Sequence, residues 1–211
     1  MPPLSQAVSD LSDSPWRLIA PYAVWMALMM ALPATAEAYA VRTALTALAL
    51  AVALRGVSWR PAAVRALRPS VFAPALAAGL AVFAIWTLPE GWAPYREWCV
   101  WGDADGAGPS PYDPAVCGSG LTLVRLAGST FVIAVAEELF FRRWLLKFAG
   151  FAWMTALFAV EHDRWLAGAV AGLVYGALAL RKGLGAAIVA HAVTNFALGA
   201  YVIVGGHWAF W

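Results

Sequence analysis

Long apolar runs, punctuated by short groups of charges, dominate the chain. They fall at roughly 17–34, 38–54, 70–89, 121–146, 148–161, 164–180 and 184–205. A helix that crosses a bilayer needs about 20 apolar residues, with a range near 17–25, so the fifth and sixth runs are short. The pattern predicts an all-α, polytopic membrane helix bundle with about seven transmembrane helices, and six to eight as the working range. Gly168, Gly172 and Gly176 recur every four residues along the sixth run, on one helical face. That spacing predicts a close packing seam.

The charges orient the runs. Arg55, Arg60, Arg65 and Arg68 crowd one loop, Arg142, Arg143 and Lys147 close the fourth run, and Arg181 and Lys182 precede the last. With alternating spans the three clusters share one side, which the excess of basic residues assigns to the cytoplasm. The expectation is a multi-pass protein of the cell's inner (plasma) membrane with its N-terminus inside. The longest loop, about 90–120, lies opposite. It carries Glu90, Glu97, Asp103, Asp105 and Asp113 against Arg96, with Trp92, Trp98 and Trp101 suited to an interface. Cys99 and Cys117 sit in this loop; a disulfide between them would clip it shut, and two free thiols are the other reading.

Ala34-Thr35-Ala36, after the apolar stretch that begins at Leu18, resembles a signal-peptidase site. The net acidic segment before Leu18 and the apolar run that follows at once favour an uncleaved first span. Residues 1–120 then supply N-terminal helices and the outer loop, and residues 121–211 a catalytic helix core, within one integrated membrane domain.

Composition narrows the class. Hydrophobic residues make up 63% and charged residues 12% of 211, against roughly 45–50% and about 25% in an average soluble domain. Lipid, not water, must solvate most of that surface. A net charge of +2 without a basic stripe argues against nucleic acid as a partner. The two cysteines have neither the number nor the spacing of a structural zinc site.

Against this background a few polar residues stand out. Glu137 and Glu138 interrupt an apolar helix, where a charge costs at least about 2.5–3.5 kcal/mol on insertion scales. Arg142 follows within reach of either carboxylate along the helix. Glu137 lies about ten residues, or roughly 15 Å, from Lys147, too far for a glutamate to reach the interface. His162 ends a run too short to cross the bilayer, inside the tetrad Glu161-His162-Asp163-Arg164. For Glu161, Asp163 and Arg164 the expectation is a surface turn between helices. His191 and Asn195 share one face of the last helix and must find partners inside the bundle. Counted from the basic side, His162 and His191 lie roughly 18 and 12 Å deep. Three helices thus place their polar residues in one layer.

A carboxylate and two imidazoles can activate water as general bases or bind a divalent metal such as zinc. The metal set would be Glu137, His162 and His191. An amide such as Asn195 can donate to a developing oxyanion. Proton relays also use buried Glu and His, but a coupled transporter predicts matching halves or broken helices, and neither is visible.

The order Glu137-Glu138-x-x-x-Arg142, Phe158-x-x-x-His162, His191-x-x-x-Asn195 resembles the CPBP family (CAAX proteases and bacteriocin-processing enzymes, also called Abi), whose archetype is the type II CAAX prenyl endopeptidase. The resemblance covers about residues 121–205 and is similar in arrangement to the bacterial CAAX-protease-related branch, part of which accompanies exosortase-type sorting. It implies an intramembrane endopeptidase acting on a membrane-associated protein or peptide. By position it implies Glu137 as the residue that polarises water, His162 and His191 as its partners, Asn195 as oxyanion donor, and Glu138 and Arg142 as supports. Metal-assisted and metal-free activation both fit. The alternatives are a non-catalytic member acting in immunity or scaffolding, and the transporter. Arg143 stands where the family often has Gly, and Glu161 where apolar residues are common.

Overall fold

The computed structural model describes residues 14–57, 60–101 and 109–211; Asp103 and Asp105 of the outer loop lie outside them. Every regular element among the described residues is helical. A chain in hydrocarbon must satisfy its backbone within each segment, and a helix does so. The main helices are α1 (Trp16–Ala31), α2 (Ala36–Ala53), α3 (Arg60–Ala66), α4 (Pro69–Thr87), α5 (Ala93–Cys99), α6 (Ser119–Val160), α7 (Trp165–Lys182) and α8 (Leu184–Gly205).

Four helical segments are long and apolar enough to cross a membrane: Ala36–Ala53, Pro69–Gly91, Ser119–Val160 and Leu184–Gly205, with Trp16–Ala31 a shorter apolar helix. This is fewer than the seven runs suggest, for local reasons. The fourth and fifth runs are joined in α6, which breaks at Gly150 (φ 81°, ψ 172°) into two arms. Only glycine adopts that φ without strain. Gly183 (φ 95°) makes a similar corner between α7 and α8. Ala34-Thr35-Ala36 forms another corner, where the Thr35 hydroxyl caps α2 by accepting from the Ala38 N–H at 3.2 Å.

The second arm of α6 and α7 form an antiparallel hairpin along the predicted seam. A Cβ added at Gly168, Gly172 or Gly176 would lie 3.2 Å from Ala159 Cα, 3.3 Å from Thr155 Cγ2 or 2.7 Å from Phe151 Cε2. α4 runs beside α8 just as closely: a Cβ at Gly79 would sit 2.5 Å from the Ala190 carbonyl oxygen. The common core contains Phe141, Met154, Phe158 and Tyr175. Outward residues such as Met30, Leu48, Phe131 and Val204 are exposed, as expected where lipid is the solvent. Cys99 and Cys117 are free thiols, not bonded to each other. The chain is a helical membrane protein whose bundle gathers α1, α4, α6, α7 and α8 around one polar interior.

Candidate active site

The first arm of α6 brings both glutamates inward. A short α-helical stretch, Ala134–Glu138, is flanked by π-helical turns at Gly128–Ile133 and Leu139–Leu145. Such turns are wider than an α turn and occur often at functional sites. Glu137 and Glu138 are both buried, yet they face different partners.

Glu138 organises one side. Arg142 NH1 lies 3.0 Å from Glu138 Oε1, and neither side chain is exposed. The guanidinium also lies over the Phe158 ring, 4.0 Å from its centroid. The Nδ1–H of His191 donates to the same Glu138 oxygen at 2.9 Å. That bond orients the imidazole and leaves Nε2 facing Glu137 Oε2 at 3.6 Å. Tyr175 stacks on His191 with centroids 4.9 Å apart. Its hydroxyl donates to Thr194 Oγ1 at 2.6 Å, and Thr194 in turn donates to the Gly79 carbonyl at 2.8 Å. Ring, hydroxyl and backbone thus hold His191 from three helices.

Glu137 faces the turn after α6. The His162 Nδ1–H donates to the Phe158 carbonyl at 2.7 Å, while its ring packs against Phe158 and Trp86. Its Nε2 is therefore the nitrogen available for chemistry. Ligand atoms of Glu137, Glu161 and His162 all lie within 4.8 Å of one another. The hydroxyl of Tyr22, on α1, donates to Glu161 Oε2.

The remaining motif residue sits apart. Asn195 Nδ2 donates to the Ser129 carbonyl at 2.8 Å, bracing the first π-helical turn. Glu137, His162 and His191 are thus brought together, Glu138 and Arg142 support them, and Asn195 holds the backbone one π turn up the same helix.

The expected surface turn holds only for Asp163, which is exposed. Arg164 is buried in a two-bond pair with Glu90, Nε to Oε2 at 2.9 Å and NH2 to Oε1 at 2.6 Å. The Trp101 N–H donates to the Asp163 carbonyl at 2.7 Å, and Trp165 Nε1 to the Trp98 carbonyl at 3.1 Å. Beside this pair Tyr95 is buried, and burial pushes its phenol up to about 12. The outer loop therefore folds over the turn that carries His162. Glu161 and Tyr22 were missed by sequence reasoning. The available signals were an acid directly before the motif histidine and a hydroxyl inside the first apolar run.

Buried carboxylates and imidazoles that converge between membrane helices define a class of site suited to water activation. Residues 119–197 match the family model described as Type II CAAX prenyl endopeptidase Rce1-like. The match supports the CPBP/CAAX protease family for this helical core, as the three motifs implied, and covers well under half of the chain. No curated protein and no solved structure matches the chain.

Proposed function

We propose that this protein is an intramembrane endopeptidase that hydrolyses a peptide bond of a membrane-associated protein or peptide. The observation that carries the proposal is the convergence on Glu137 of His191, at 3.6 Å, and of His162, within the 4.8 Å cluster. General-base chemistry needs hydrogen-bond reach, directly or through one water, and a water between Glu137 and His162 meets that need.

In this reading Glu137 takes a proton from that water while its oxygen attacks the scissile carbonyl carbon. His162, its tautomer held by the Phe158 carbonyl, accepts a second hydrogen bond from the water through Nε2. The tetrahedral oxyanion receives a hydrogen bond from the second N–H of the Asn195 amide, and His191 Nε2, the acceptor nitrogen while Nδ1–H is on Glu138, accepts from the Glu137 carboxyl once that has taken the proton. Glu137 then returns its proton to the leaving nitrogen as the C–N bond breaks. Glu138 and Arg142 keep His191 turned toward the reacting atoms. In this reading the basic loops face the cytoplasm and the tryptophan-rich loop the outside, as the excess of basic residues suggests, and the site lies within the plasma membrane.

The test uses purified full-length protein in lipid nanodiscs. A farnesylated peptide ending in CaaX, its unprenylated counterpart and a pool of membrane-anchored peptides are offered, and released fragments are identified by mass spectrometry. Glu137→Gln and His162→Ala should each lower cleavage by about 10²–10⁴-fold with tryptophan fluorescence unchanged. Full activity in both variants would overturn the proposal.

A further inference from the structure

A second polar cluster lies away from the carboxylates, between α2 and the start of α6. Arg42 is buried, only 5% exposed, and Arg125 is half-buried. Both guanidiniums pack on Tyr39, 5.5 and 4.5 Å from its ring centroid. Arg125 also lies 4.0 Å from the centroid of Tyr112 and 5.2 Å from that of Trp211. Arginine keeps its charge in proteins, so two like charges share one aromatic box. Among the described residues, the ionisable groups that act on Arg125 are Tyr39, Tyr112 and Arg42, and none is a carboxylate. Glu37, the acid nearest to Arg42 in sequence, is exposed. The Nε–H groups of both arginines and the hydroxyls of Thr46 and Thr130, on the same two helices, are buried without a hydrogen-bond partner among the described residues. Ring faces attract a cation but leave its N–H donors unpaired, and unpaired donors in a low-dielectric interior are costly. Unbalanced positive charge beside idle donors is the complement of an anion.

We propose that Arg42 and Arg125 form a binding site for one phosphate anion, supplied by the headgroup of a phospholipid in the leaflet on the side of the outer loop. The two helices set its depth. The Tyr39 hydroxyl donates to the Arg125 carbonyl at 3.4 Å, and a Cβ at Gly128 would lie 2.7 Å from Thr43 Oγ1. Positions 39 and 43 of α2 thus stand level with 125 and 128 of α6, so the helices run parallel here and begin at the same end. Each arginine follows the first residue of its helix, Ala36 or Ser119, by six positions, about 9 Å. Helical side chains lean toward the N-terminus, which carries both guanidiniums back toward that end. Tyr112, from the outer loop, and Trp211, beyond α8, close the box there, at the level where aromatic rings meet lipid headgroups. The planar donor forks of two arginines match phosphate oxygens. Val41, Leu45, Leu48 and Val52 form an exposed apolar stripe down α2, a path for the acyl chain below the headgroup. Arg125 stands 12 residues before Glu137 on α6, roughly 18 Å along the axis. The lipid would be held whether or not a peptide is cleaved, so this inference goes beyond the protease reading.

The experiment reads lipid binding, not proteolysis. Full-length protein, delipidated in a non-ionic detergent, is titrated calorimetrically with dioctanoyl phosphatidylglycerol, with dioctanoylglycerol and with inorganic phosphate. Phosphatidylglycerol should bind at one site per chain. Dioctanoylglycerol, which has the same acyl chains and no phosphate, should bind at least about tenfold more weakly, and so should the phospholipid to Arg42→Gln or Arg125→Gln, each having lost a charge-assisted hydrogen bond. The comparison of the two lipids on wild type needs no variant, so it stays decisive if an arginine substitution fails to fold. Arg65→Gln, which removes an exposed charge on α3, should bind as wild type. Equal binding of the two lipids would overturn the inference, as would wild-type affinity in both Arg42→Gln and Arg125→Gln. Inorganic phosphate binding as tightly as the phospholipid would overturn the assignment to lipid.

Discussion

Arg142→Met removes the guanidinium paired with Glu138 while keeping an unbranched side chain in the core. The carboxylate it leaves is fully buried, with the His191 Nδ1–H at 2.9 Å as its remaining polar partner. Breaking one side of a buried ion pair costs about 3–5 kcal/mol in soluble proteins. Lifting the cation from the faces of Phe158 and Tyr175, 4.0 and 5.3 Å away, adds up to about 2 kcal/mol. In a bilayer the unfolded chain also finds polar partners, which takes back part of the loss. The expected destabilisation is about 3 kcal/mol, toward the low end of the soluble range. Glu138→Gln in the same background removes the orphan charge, so the double variant should regain about 1–2 kcal/mol over Arg142→Met alone. Unfolding in mixed micelles of rising detergent strength, followed by the fluorescence of the 12 tryptophans, measures all four corners of the cycle. Additive losses, with a coupling below about 0.5 kcal/mol, would refute the view that this pair is electrostatically coupled.

Two further outcomes follow from the packing. Gly79→Ala places a methyl 2.5 Å from the Ala190 carbonyl oxygen and 2.8 Å from Val193 Cβ. α4 must move from α8, breaking the Thr194–Gly79 bond, and the same micelle assay should show a loss of about 1–3 kcal/mol; an unchanged midpoint would contradict this helix contact. Asn195→Leu removes the amide from Ser129 and should lower kcat by about 10²–10³. A loss of stability with kcat intact would confine Asn195 to bracing the π turn.

The helices were legible because burial in lipid leaves a coarse signal, long apolar runs bounded by charges. The two arms of α6 were legible in the same way, as two runs parted at Lys147, and the structure puts the corner at Gly150, whose positive φ makes it. Glu137, His162 and His191 were legible for the opposite reason, as polar groups that hydrocarbon does not tolerate alone. Glu161 and Arg164 hid among charged neighbours, where a surface turn is the ordinary outcome. Their burial depends on partners far along the chain, Tyr22 and Glu90, and no local pattern encodes that distance. The common depth calculated from helix rise brought the right residues together. It did not distinguish Glu137, facing His162, from its neighbour Glu138, facing Arg142, because that division arises from tertiary packing.

The turn between α6 and α7 explains why the outer loop belongs to the site. The second arm of α6 stops short, so its connection to α7 leaves backbone polar groups inside the bundle. Non-helical backbone survives there only when protein encloses and satisfies it. The His162 N–H is satisfied by the Ala159 carbonyl, and the Asp163 carbonyl by the Trp101 N–H. Glu90 then neutralises Arg164 from the end of α4. Each contact fixes the turn rather than the candidate site's side chains themselves, and the turn in turn sets where His162 and Glu161 stand relative to Glu137. The loop that looked separate from the helical core therefore determines the spacing of its polar groups.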